Sequence, residues 1–241
     1  MNERAQLQEI IDHSRRIVFF GGAGVSTESG IPDFRSAEGL YRQKQRIPPE
    51  EILSHRFFMA HPDEFYEFYR HHLLFPQAQP NAAHRKLAEL ERANRLEAIV
   101  TQNIDGLHQA AGSRRVLELH GSVHRNRCMR CGARFGLDAV LHASGVPHCP
   151  ECGGVIKPEV VLYEEPLDEA VVNEAVAAIA AADTLLIAGT SLAVYPAAGL
   201  IRYFRGAHLV LINRDPTPAD GAAELVLHAK VGEVLGAVAV R

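Results

Sequence analysis

Short runs of apolar residues, each followed by small or polar residues, recur along the chain. Five of them are four to six residues long, and their continuous apolar character is typical of strands that are buried on both faces. The predicted strands are residues 16–20, 98–101, 116–119, 184–189 and 208–213. Because a dozen or more residues separate consecutive strands, we expect parallel pairing.

Amphipathic segments between these strands predict the helices that cover the sheet. An apolar stripe runs along residues 3–14, Pro62 is placed to begin a helix, and Asn81 is placed to cap another. Further helices are predicted at 168–182, 196–205 and 231–239. The alternation of strands and helices predicts an α/β fold with a doubly wound parallel sheet.

Helical periodicity stops between residues 124 and 157, where cysteine, glycine and arginine concentrate. The α/β pattern resumes after this segment. We therefore predict one α/β domain built from residues 1–123 and 158–241, with residues 124–157 as a small inserted module. The aromatic-rich helices at about 40–80 are assigned to the same small domain.

All four cysteines lie in the inserted segment, as two Cys-x-x-Cys pairs: Cys128 with Cys131, and Cys149 with Cys152. Each pair can present two thiolates to one ion from a tight turn, and two pairs complete a tetrahedral shell. This spacing predicts a zinc ribbon, with four unligated thiols as the alternative interpretation. Four protein ligands close the shell, so one Zn²⁺ with a structural role is expected.

Composition and charge narrow the possible functions. The chain has 241 residues, 47% of them hydrophobic and 22% charged, with a formal net charge of −4. The sequence has no stripe of basic residues of the kind that would indicate a nucleic-acid partner. No apolar run reaches the roughly 18 residues of a membrane span, and the charged N-terminal segment is unlike a signal peptide. A cytoplasmic protein without a membrane partner is expected.

The candidate chemistry lies at the predicted carboxyl ends of the strands, where open α/β sheets bind their ligands. Small and polar residues concentrate in the five loops that follow the strands. These strand-end loops are residues 21–36, 102–106, 120–122, 189–191 and 213–215. Each is weak evidence alone, and their common position indicates a single binding site.

The first strand-end loop begins like a phosphate-binding turn. Gly22 and Gly24 would let backbone N–H groups approach a pyrophosphate, and Thr27 could add a hydroxyl group. However, Thr27 stands where a dinucleotide-binding fingerprint has its third glycine, which argues against an ordinary dehydrogenase. A tight strand-to-helix turn without a ligand is the alternative interpretation of this motif by itself.

Six motifs follow one another in a characteristic order. They are GAGVSTESGIPDFRS from Gly22, TQNIDGLHQAAG from Thr101, LELHGS from Leu117, the paired Cys-x-x-Cys motifs, GTSLAVYPAA from Gly189 and LIN from Leu211. On these motifs the chain resembles the sirtuins, NAD-dependent protein lysine deacylases, over about residues 3–239. The resemblance implies a Rossmann-like NAD-binding domain carrying a small zinc-ribbon domain, with NAD⁺ as cosubstrate and acylated lysine in peptides or proteins as the other substrate.

The resemblance also implies roles for individual residues. His120 would be the general base, and Asn103 would hold the water and ribose of the reaction centre. NAD would contact Gly22, Ala23, Gly24, Thr27, Phe34, Arg35, Gln102, Asn103, Ile104, Asp105, His120, Gly189, Thr190, Ser191, Asn213 and Val231. The acyl-lysine substrate would contact Val160, Val161, Leu162, Tyr163 and Val194.

The implied reaction consumes NAD rather than using it as a hydride carrier. The glycosidic bond breaks with loss of nicotinamide, and the acyl group passes from lysine to ADP-ribose. With an unperturbed pKa near 6.5, His120 can accept a proton from a ribose hydroxyl near neutral pH. The alternatives are desuccinylation or another deacylation, mono-ADP-ribosyl transfer from the same NAD site, and a non-enzymatic binding role.

Two segments depart from the family pattern. Residues 160–165 read Val-Val-Leu-Tyr-Glu-Glu where the family has a segment close to Val-Val-Trp-Phe-Gly-Glu. The two glutamates would either favour basic peptides or be solvated. Desuccinylating members carry a Tyr-x-x-Arg pair, but here Tyr66 is followed by Tyr69 at the Arg position. Arg70 comes one residue later, turned about 100° away on a helix, so neutral acyl groups are expected, acetyl first.

Overall fold

The computed structural model describes residues 2–34, 36, 39–42 and 46–240. Nine strands lie in this part of the chain, in two sheets. They are β1 (Ile17–Gly21), β2 (Leu96–Thr101), β3 (Val116–Glu118), β4 (Gly121–Cys128), β5 (Arg134–Phe135), β6 (Ile156–Val160), β7 (Thr184–Ala188), β8 (His208–Ile212) and β9 (Leu225–Leu227). All five strands predicted from the apolar runs are present, with bounds within about two residues of the prediction.

A parallel six-stranded sheet forms the centre of the molecule. Its strand order is β3-β2-β1-β7-β8-β9, and every neighbouring pair is parallel. The order reverses between β1 and β7, so a topological switch point lies where the carboxyl ends of these two strands meet. This is the strand order of a Rossmann-like doubly wound sheet, and the predicted fold class is confirmed.

Both faces of this sheet are buried because side chains alternate along each strand. In β1, Ile17 and Phe19 pack into one core while Val18 and Phe20 pack into the other, and all four side chains are fully buried. A strand covered on both faces must be apolar throughout. This requirement explains why continuous apolar runs located the central strands.

Nine α-helices surround the two sheets in the described ranges. They are α1 (Glu3–His13), α2 (Pro49–Ile52), α3 (His55–Ala60), α4 (Pro62–His72), α5 (Ala82–Arg92), α6 (Leu107–Ala110), α7 (Asp138–Leu141), α8 (Glu169–Ala181) and α9 (Val231–Leu235). Apolar residues of α1, α5 and α9 pack on one face of the parallel sheet, and those of α8 pack on the other. Among the described helices, none has both the length and the apolar character to cross a bilayer.

Two predicted helices differ from the structure, and four of the observed strands were not predicted. Residues 196–205 contain a 3₁₀-helix over Ala197–Tyr203 instead of an α-helix, in keeping with the low α-helical propensity of Gly199 at its middle. Helix α9 ends at Leu235, well before the predicted end. Strands β4, β5, β6 and β9 were not predicted. β5 and β9 have only two and three residues, and β4 and β6 contain polar or charged residues in place of a continuous apolar run.

A smaller antiparallel sheet of order β5-β4-β6 packs against the aromatic face of α4. Four aromatic residues of α4 are buried there, and the hydroxyl of one of them, Tyr66, donates to the backbone oxygen of Ile156. The helices near 40–80 and the cysteine-bearing segment therefore share one core. The domain limits at 123/124 and 157/158 stay a prediction.

Asn81 fixes the start of α5 against the first strand-end loop. Its side-chain oxygen accepts the N–H groups of Ala83 and His84 at 2.9 and 3.4 Å. Its amide nitrogen donates to the backbone oxygen of Val25 at 2.8 Å and to Ser29 Oγ at 3.0 Å. The backbone N–H of Asn81 donates to His84 Nδ1 at 3.2 Å, which completes a capping box. Asn81 is buried, so water does not compete for these bonds.

Replacement of Asn81 by alanine is expected to lower the free energy of unfolding by about 2–4 kcal/mol, because it removes a helix cap and leaves the buried oxygen of Val25 unpaired. Urea denaturation would measure this loss. Asn173→Ala, at an exposed position of α8, is the matched control and should change stability by less than about 0.5 kcal/mol. Equal effects of the two replacements would contradict the role assigned to Asn81.

Candidate functional site

A cleft of about 450 Å³ opens at the carboxyl ends of the parallel strands. Its walls include the loops after β1, β2, β7 and β8, together with the link between β3 and β4. All five predicted strand-end loops therefore contribute to one site. Residues 160–165, which follow β6 from the smaller sheet, form a further wall.

Every predicted cofactor or substrate residue that the structure describes lines this cleft. On the cofactor side these are Gly22, Ala23, Gly24, Thr27, Phe34, Gln102, Asn103, Ile104, Asp105, His120, Gly189, Thr190, Ser191, Asn213 and Val231. On the substrate side these are Val160, Val161, Leu162, Tyr163 and Val194. Arg35, also predicted to contact the cofactor, lies outside the described residues.

The glycine turn after β1 is shaped by contact with the loop after β7. The N–H of Gly24 donates to the backbone oxygen of Gly189 at 2.8 Å, and a Cβ on Gly24 would lie 2.8 Å from Gly189 Cα. A Cβ on Gly22 would lie 2.8 Å from Thr190 Cβ. Gly22 and Gly24 are therefore required by the close contact between the two loops. This requirement is separate from the close approach of a pyrophosphate, which the sequence motif predicted.

His120 lies in the link between β3 and β4, with its Nδ1 2.9 Å from the backbone oxygen of Gln102. A carbonyl oxygen can only accept, so Nδ1 carries the proton of the neutral ring and Nε2 is the basic nitrogen. Burial lowers the pKa of His120 below its ordinary value of 6.5, and the hydrogen bond to Gln102 partly opposes this shift. The imidazole is therefore neutral at pH 7, the state that a general base requires.

Asp105 and Ser26 form the centre of a buried polar network in the same cleft. Asp105 Oδ2 accepts the Ser26 hydroxyl at 2.7 Å, and Oδ1 accepts the N–H of Leu107 at 2.9 Å. Asn103 Nδ2 donates to Ser26 Oγ at 3.1 Å. Burial raises the pKa of Asp105, while the hydrogen bonds from Leu107 and Ser26 oppose that rise. The site thus holds a carboxyl group away from bulk water with its orientation fixed.

His84 extends this network, although the sequence pattern did not identify it as a site residue. Its Nδ1 accepts the backbone N–H of Asn81, so in the neutral ring Nε2 carries the proton. Nε2 lies 3.5 Å from Ser26 Oγ. Burial lowers the pKa of His84 to about 4, which keeps the ring neutral at pH 7. In the sequence, the one indication that His84 is fixed in place was its spacing from Asn81, which is that of a capping box at the start of α5.

Two other predicted residues make hydrogen bonds within the chain. Gln102 Nε2 donates to Thr190 Oγ1 at 3.1 Å, which joins the loops after β2 and β7. Asn213 Nδ2 donates to the backbone oxygen of Asp215 at 2.7 Å. A ligand at Asn213 would therefore use the side-chain oxygen or the second N–H of the amide.

The N–H groups of Val161, Leu162 and Tyr163 are already engaged within the chain. Those of Val161 and Tyr163 donate to backbone oxygens of neighbouring segments at 2.9 and 3.0 Å. That of Leu162 donates to a carboxylate oxygen of Glu165 at 2.9 Å. A peptide strand that adds to this edge at Val161–Tyr163 would therefore pair through carbonyl groups there, or displace Glu165 from the N–H of Leu162.

The two glutamates of this wall bind their own chain. Glu165 contacts Lys157 Nζ at 3.0 Å and His55 Nδ1 at 2.8 Å, and only 18% of its side chain is exposed. Glu164 contacts Arg56 Nε at 3.2 Å. The predicted alternatives were recognition of basic peptides or simple solvation. Glu165 fits neither, because its carboxylate is shielded and paired with groups of α3 and β6.

The helix compared with desuccinylating sirtuins turns its charged group away from the cleft. Tyr66 and Tyr69 are fully buried in the core of the smaller sheet. Arg70 donates to two backbone oxygens of the cysteine-bearing segment. Arg70 is not among the described residues that line the cleft, and the acyl preference inferred from its position stays a prediction. His72 is the residue of α4 that lines the cleft among those described, and burial lowers its pKa, so α4 presents a neutral group there.

The four cysteines cluster tightly enough to hold one ion. Their sulfur atoms all lie within 4.8 Å of one another, with 3.4 Å between Cys128 and Cys152 and 3.7 Å between Cys131 and Cys149. Four sulfurs bound at about 2.3 Å to one tetrahedral ion are about 3.8 Å apart. The cluster therefore fits the predicted zinc, which would complete a closed, structural site.

Backbone groups of the two turns support thiolate ligands. The N–H groups of Cys131 and Arg130 point at Cys128 Sγ from 3.5 and 3.4 Å, and that of Gly154 points at Cys152 Sγ from 3.4 Å. The N–H groups of Cys131 and Arg130 lower the pKa of the Cys128 thiol, which favours the deprotonated form that binds metal. Two of the four cysteines are also buried in the core shared with α4.

Residues 22–196 match the protein-family model described as the Sir2 family. The matched span begins at the glycine turn, includes both Cys-x-x-Cys pairs, and ends after the loop that follows β7. The chain belongs to the Sir2 family. The resemblance predicted from the six motifs is therefore confirmed.

Curated relatives cover almost the whole chain. An NAD-dependent protein deacetylase of Clostridium perfringens (strain 13 / Type A) is 58% identical over 236 residues, 97% of this chain and 97% of the relative. One of Cutibacterium acnes (strain DSM 16379 / KPA171202) is 58% identical over 235 residues, 97% of this chain and 96% of the relative.

Solved Sir2 structures share the fold. One described as the structural basis for the mechanism and regulation of Sir2 enzymes superposes with a TM-score of 0.88 at 41% identity, covering 98% of this chain and 95% of that one. A Sir2 complex with a deacetylated p53 peptide and 3′-O-acetyl-ADP-ribose gives a TM-score of 0.88 at 39% identity, with coverages of 96% and 95%. A Sir2 homologue in complex with NAD gives 0.87 at 38%, with coverages of 96% and 91%.

Removal of the metal is expected to unfold the core beneath α4. The purified protein should contain about one zinc per chain by elemental analysis. Cys128→Ser should abolish zinc retention and lower Tm by about 10 °C or more, because several kcal/mol of metal-linked stability are lost. Met129→Ala, at the exposed neighbouring position, is the control and should retain both properties. Zinc retention by Cys128→Ser, or an unchanged Tm without metal, would contradict a structural Cys₄ site.

Proposed function

We propose that this member of the Sir2 family is an NAD-dependent protein lysine deacetylase. The observation that supports this most strongly is that His120, Asn103, Asp105 and the Gly22–Gly24 turn line a single cleft. Relatives that cover nearly the whole chain bear the name NAD-dependent protein deacetylase. A structural neighbour that superposes over 96% of this chain binds NAD.

NAD binds across the switch point between β1 and β7. Its phosphates lie against the Gly22–Gly24 turn and Thr27, where remaining N–H and hydroxyl groups act as donors. The adenosine half extends to Thr190, Ser191 and Asn213, beside Val231 of α9. Loop contact between the β1 and β7 segments holds these donors in place before the ligand arrives.

The nicotinamide end lies toward the loop after β2. Asp105 binds the carboxamide, and its fixed orientation, set by Ser26 and Leu107, provides a carboxyl group aimed at one ligand position. Phe34 covers the ring from the first strand-end loop. Asn103 holds the ribose and water of the reaction centre. NAD is a substrate here, so these contacts surround the glycosidic bond that breaks.

His120 is the general base of the acyl transfer. The carbonyl oxygen of acyl-lysine attacks C1′ of the ribose as the bond to nicotinamide breaks. His120 then takes a proton from a ribose hydroxyl, whose oxygen attacks the acyl carbon, and water completes the release of free lysine and O-acyl-ADP-ribose. The neutral ring with a basic Nε2 is the protonation state that this step needs.

The preferred acyl group is neutral, with acetyl first. Helix α4 offers no cation to a succinyl or malonyl carboxylate, because the guanidinium of Arg70 is held by backbone oxygens outside the cleft. His72, which does line the cleft, is kept neutral by burial. Peptides carrying the acyl-lysine bind along residues 160–163, opposite Val194.

Replacement of His120 by alanine should reduce kcat/KM for an acetyl-lysine peptide by about 10²–10⁴-fold, the range of a lost general base. Nicotinamide release and mass spectrometry of the products would measure the effect. His142→Ala, at an exposed position of α7's end, is the control and should keep wild-type activity. Full activity in His120→Ala would contradict the mechanism.

The same assay separates the alternative activities. O-acetyl-ADP-ribose and free lysine support deacetylation, whereas ADP-ribosylated protein would identify a transferase. A higher kcat/KM on the succinyl form of the same peptide would contradict the acyl preference. NAD left unconsumed with every acyl-peptide would contradict an enzymatic function.

Activity should persist below the usual titration range of histidine. Because burial lowers the pKa of His120, the ring stays neutral and basic as the pH falls through 6.5, and activity declines only at the lower pKa of the folded protein. The profile of kcat/KM against pH for the free enzyme should therefore have an acid limb centred below 6.5. This limb should be missing from the residual activity of His120→Ala. A midpoint at or above 6.5 would contradict the burial effect.

A further inference from the structure

Two tyrosines join opposite walls of the cleft through their hydroxyl groups. The hydroxyl oxygens of Tyr41 and Tyr163 lie 2.6 Å apart, within hydrogen-bond distance. Tyr163 belongs to the wall formed by residues 160–165, and Tyr41 belongs to the segment that follows the first strand-end loop. The pair therefore connects the wall assigned to the peptide with the segment that follows the NAD-binding loop.

Tyr41 is fixed to the segment that carries Phe34. The N–H of Tyr41 donates to the backbone oxygen of Phe34 at 2.8 Å, and that of Leu40 donates to the backbone oxygen of Asp33 at 2.8 Å. The rings of Phe34 and Tyr41 pack edge to face, with centroids 5.5 Å apart. A displacement of Tyr41 is therefore transmitted to Phe34 through the backbone and through the rings.

Tyr163 is fixed on the other side by its backbone. Its N–H donates to the oxygen of Leu53 at 3.0 Å, and its oxygen accepts the N–H of His55 at 2.9 Å. These bonds attach it to the junction of α2 and α3. None of these backbone bonds involves the Tyr163 hydroxyl, whose partner is the hydroxyl of Tyr41.

We propose that Tyr41 and Tyr163 are positioning residues that couple the binding of the acyl-lysine peptide to the binding of NAD. The proposal rests on the function proposed above. A peptide along residues 160–163 constrains the Tyr163 ring, the hydroxyl pair constrains Tyr41, and Tyr41 holds Phe34 over the nicotinamide end of NAD. Each ligand thereby raises the affinity for the other by the same factor, as linkage requires.

The test measures that factor in the whole protein by calorimetry. The probe is a carba-analogue of NAD that cannot release nicotinamide, titrated with and without a saturating acetyl-lysine peptide. In the wild-type chain the peptide should lower the Kd of the analogue by about fivefold or more, which is the size expected of one hydrogen bond. In Tyr163→Phe and in Tyr41→Phe the ratio should fall to less than about twofold.

The double variant and a control make the result specific. Tyr41→Phe with Tyr163→Phe should lose no more coupling than either single variant, because both replacements remove the same bond. Tyr203→Phe, which removes a hydroxyl that contacts Arg202 instead, should keep the wild-type ratio. In turnover, Tyr41→Phe should show a raised KM for NAD at saturating peptide concentration, where the wild-type chain gains affinity from the coupling.

Three outcomes would overturn the proposal. They are a wild-type ratio of one, an unchanged ratio in both single variants, and losses that add in the double variant. A lower Tm with unchanged coupling would likewise identify a merely structural bond. Failure of the proposed function can be told apart from failure of the coupling. If the proposed function is wrong, the wild-type chain itself will not deacetylate the peptide, whatever the variants do.

Discussion

The turn at Gly121 is the constraint on which the geometry of the cleft depends. Gly121 has a positive φ of 75°, and a Cβ there would lie 1.9 Å from the backbone oxygen of Glu159. Only glycine can make this turn. It connects β3 of the parallel sheet directly to β4 of the antiparallel sheet, so His120 lies at the junction of the two. The Nδ1 of His120 donates to the backbone oxygen of Gln102, in the loop after β2. The N–H of Val161, in the wall formed by residues 160–165, donates to the backbone oxygen of His120.

A second constraint is the cost of burying polar groups beside this junction. Ser26, His84, Asn103 and Asp105 come from three separate loops and helices, and each is largely removed from water. Such a network is stable only when its donors and acceptors are matched. The capping box at Asn81 sets the tautomer of His84, and that tautomer lets Ser26 accept from the ring while donating to Asp105. Helix capping thus determines the hydrogen bonding of the candidate site.

The sequence was most informative where a local pattern has one structural cause. Continuous apolar runs located five central strands because both faces of the sheet are covered, and the strand-end loops followed from that placement. The relation of Ser26 to His84 and Asp105 could not be predicted, because it joins residues far apart in the chain. The pairing of Glu165 with Lys157 and His55 was missed for the same reason. The sequence shows that two glutamates are adjacent, but only the fold shows which residues their carboxylates contact.

The four cysteines act on the cleft through packing rather than through chemistry. Cys128 and Cys149 belong to the same core as Leu53, Val160 and Leu162, which line or support the peptide wall. A metal that fixes the cysteines therefore fixes the surface against which that wall packs. Because dense cores transmit small displacements, a metal site outside the cleft can set the position of the residues that contact the substrate. The zinc ribbon and the parallel sheet accordingly each supply one side of a single site.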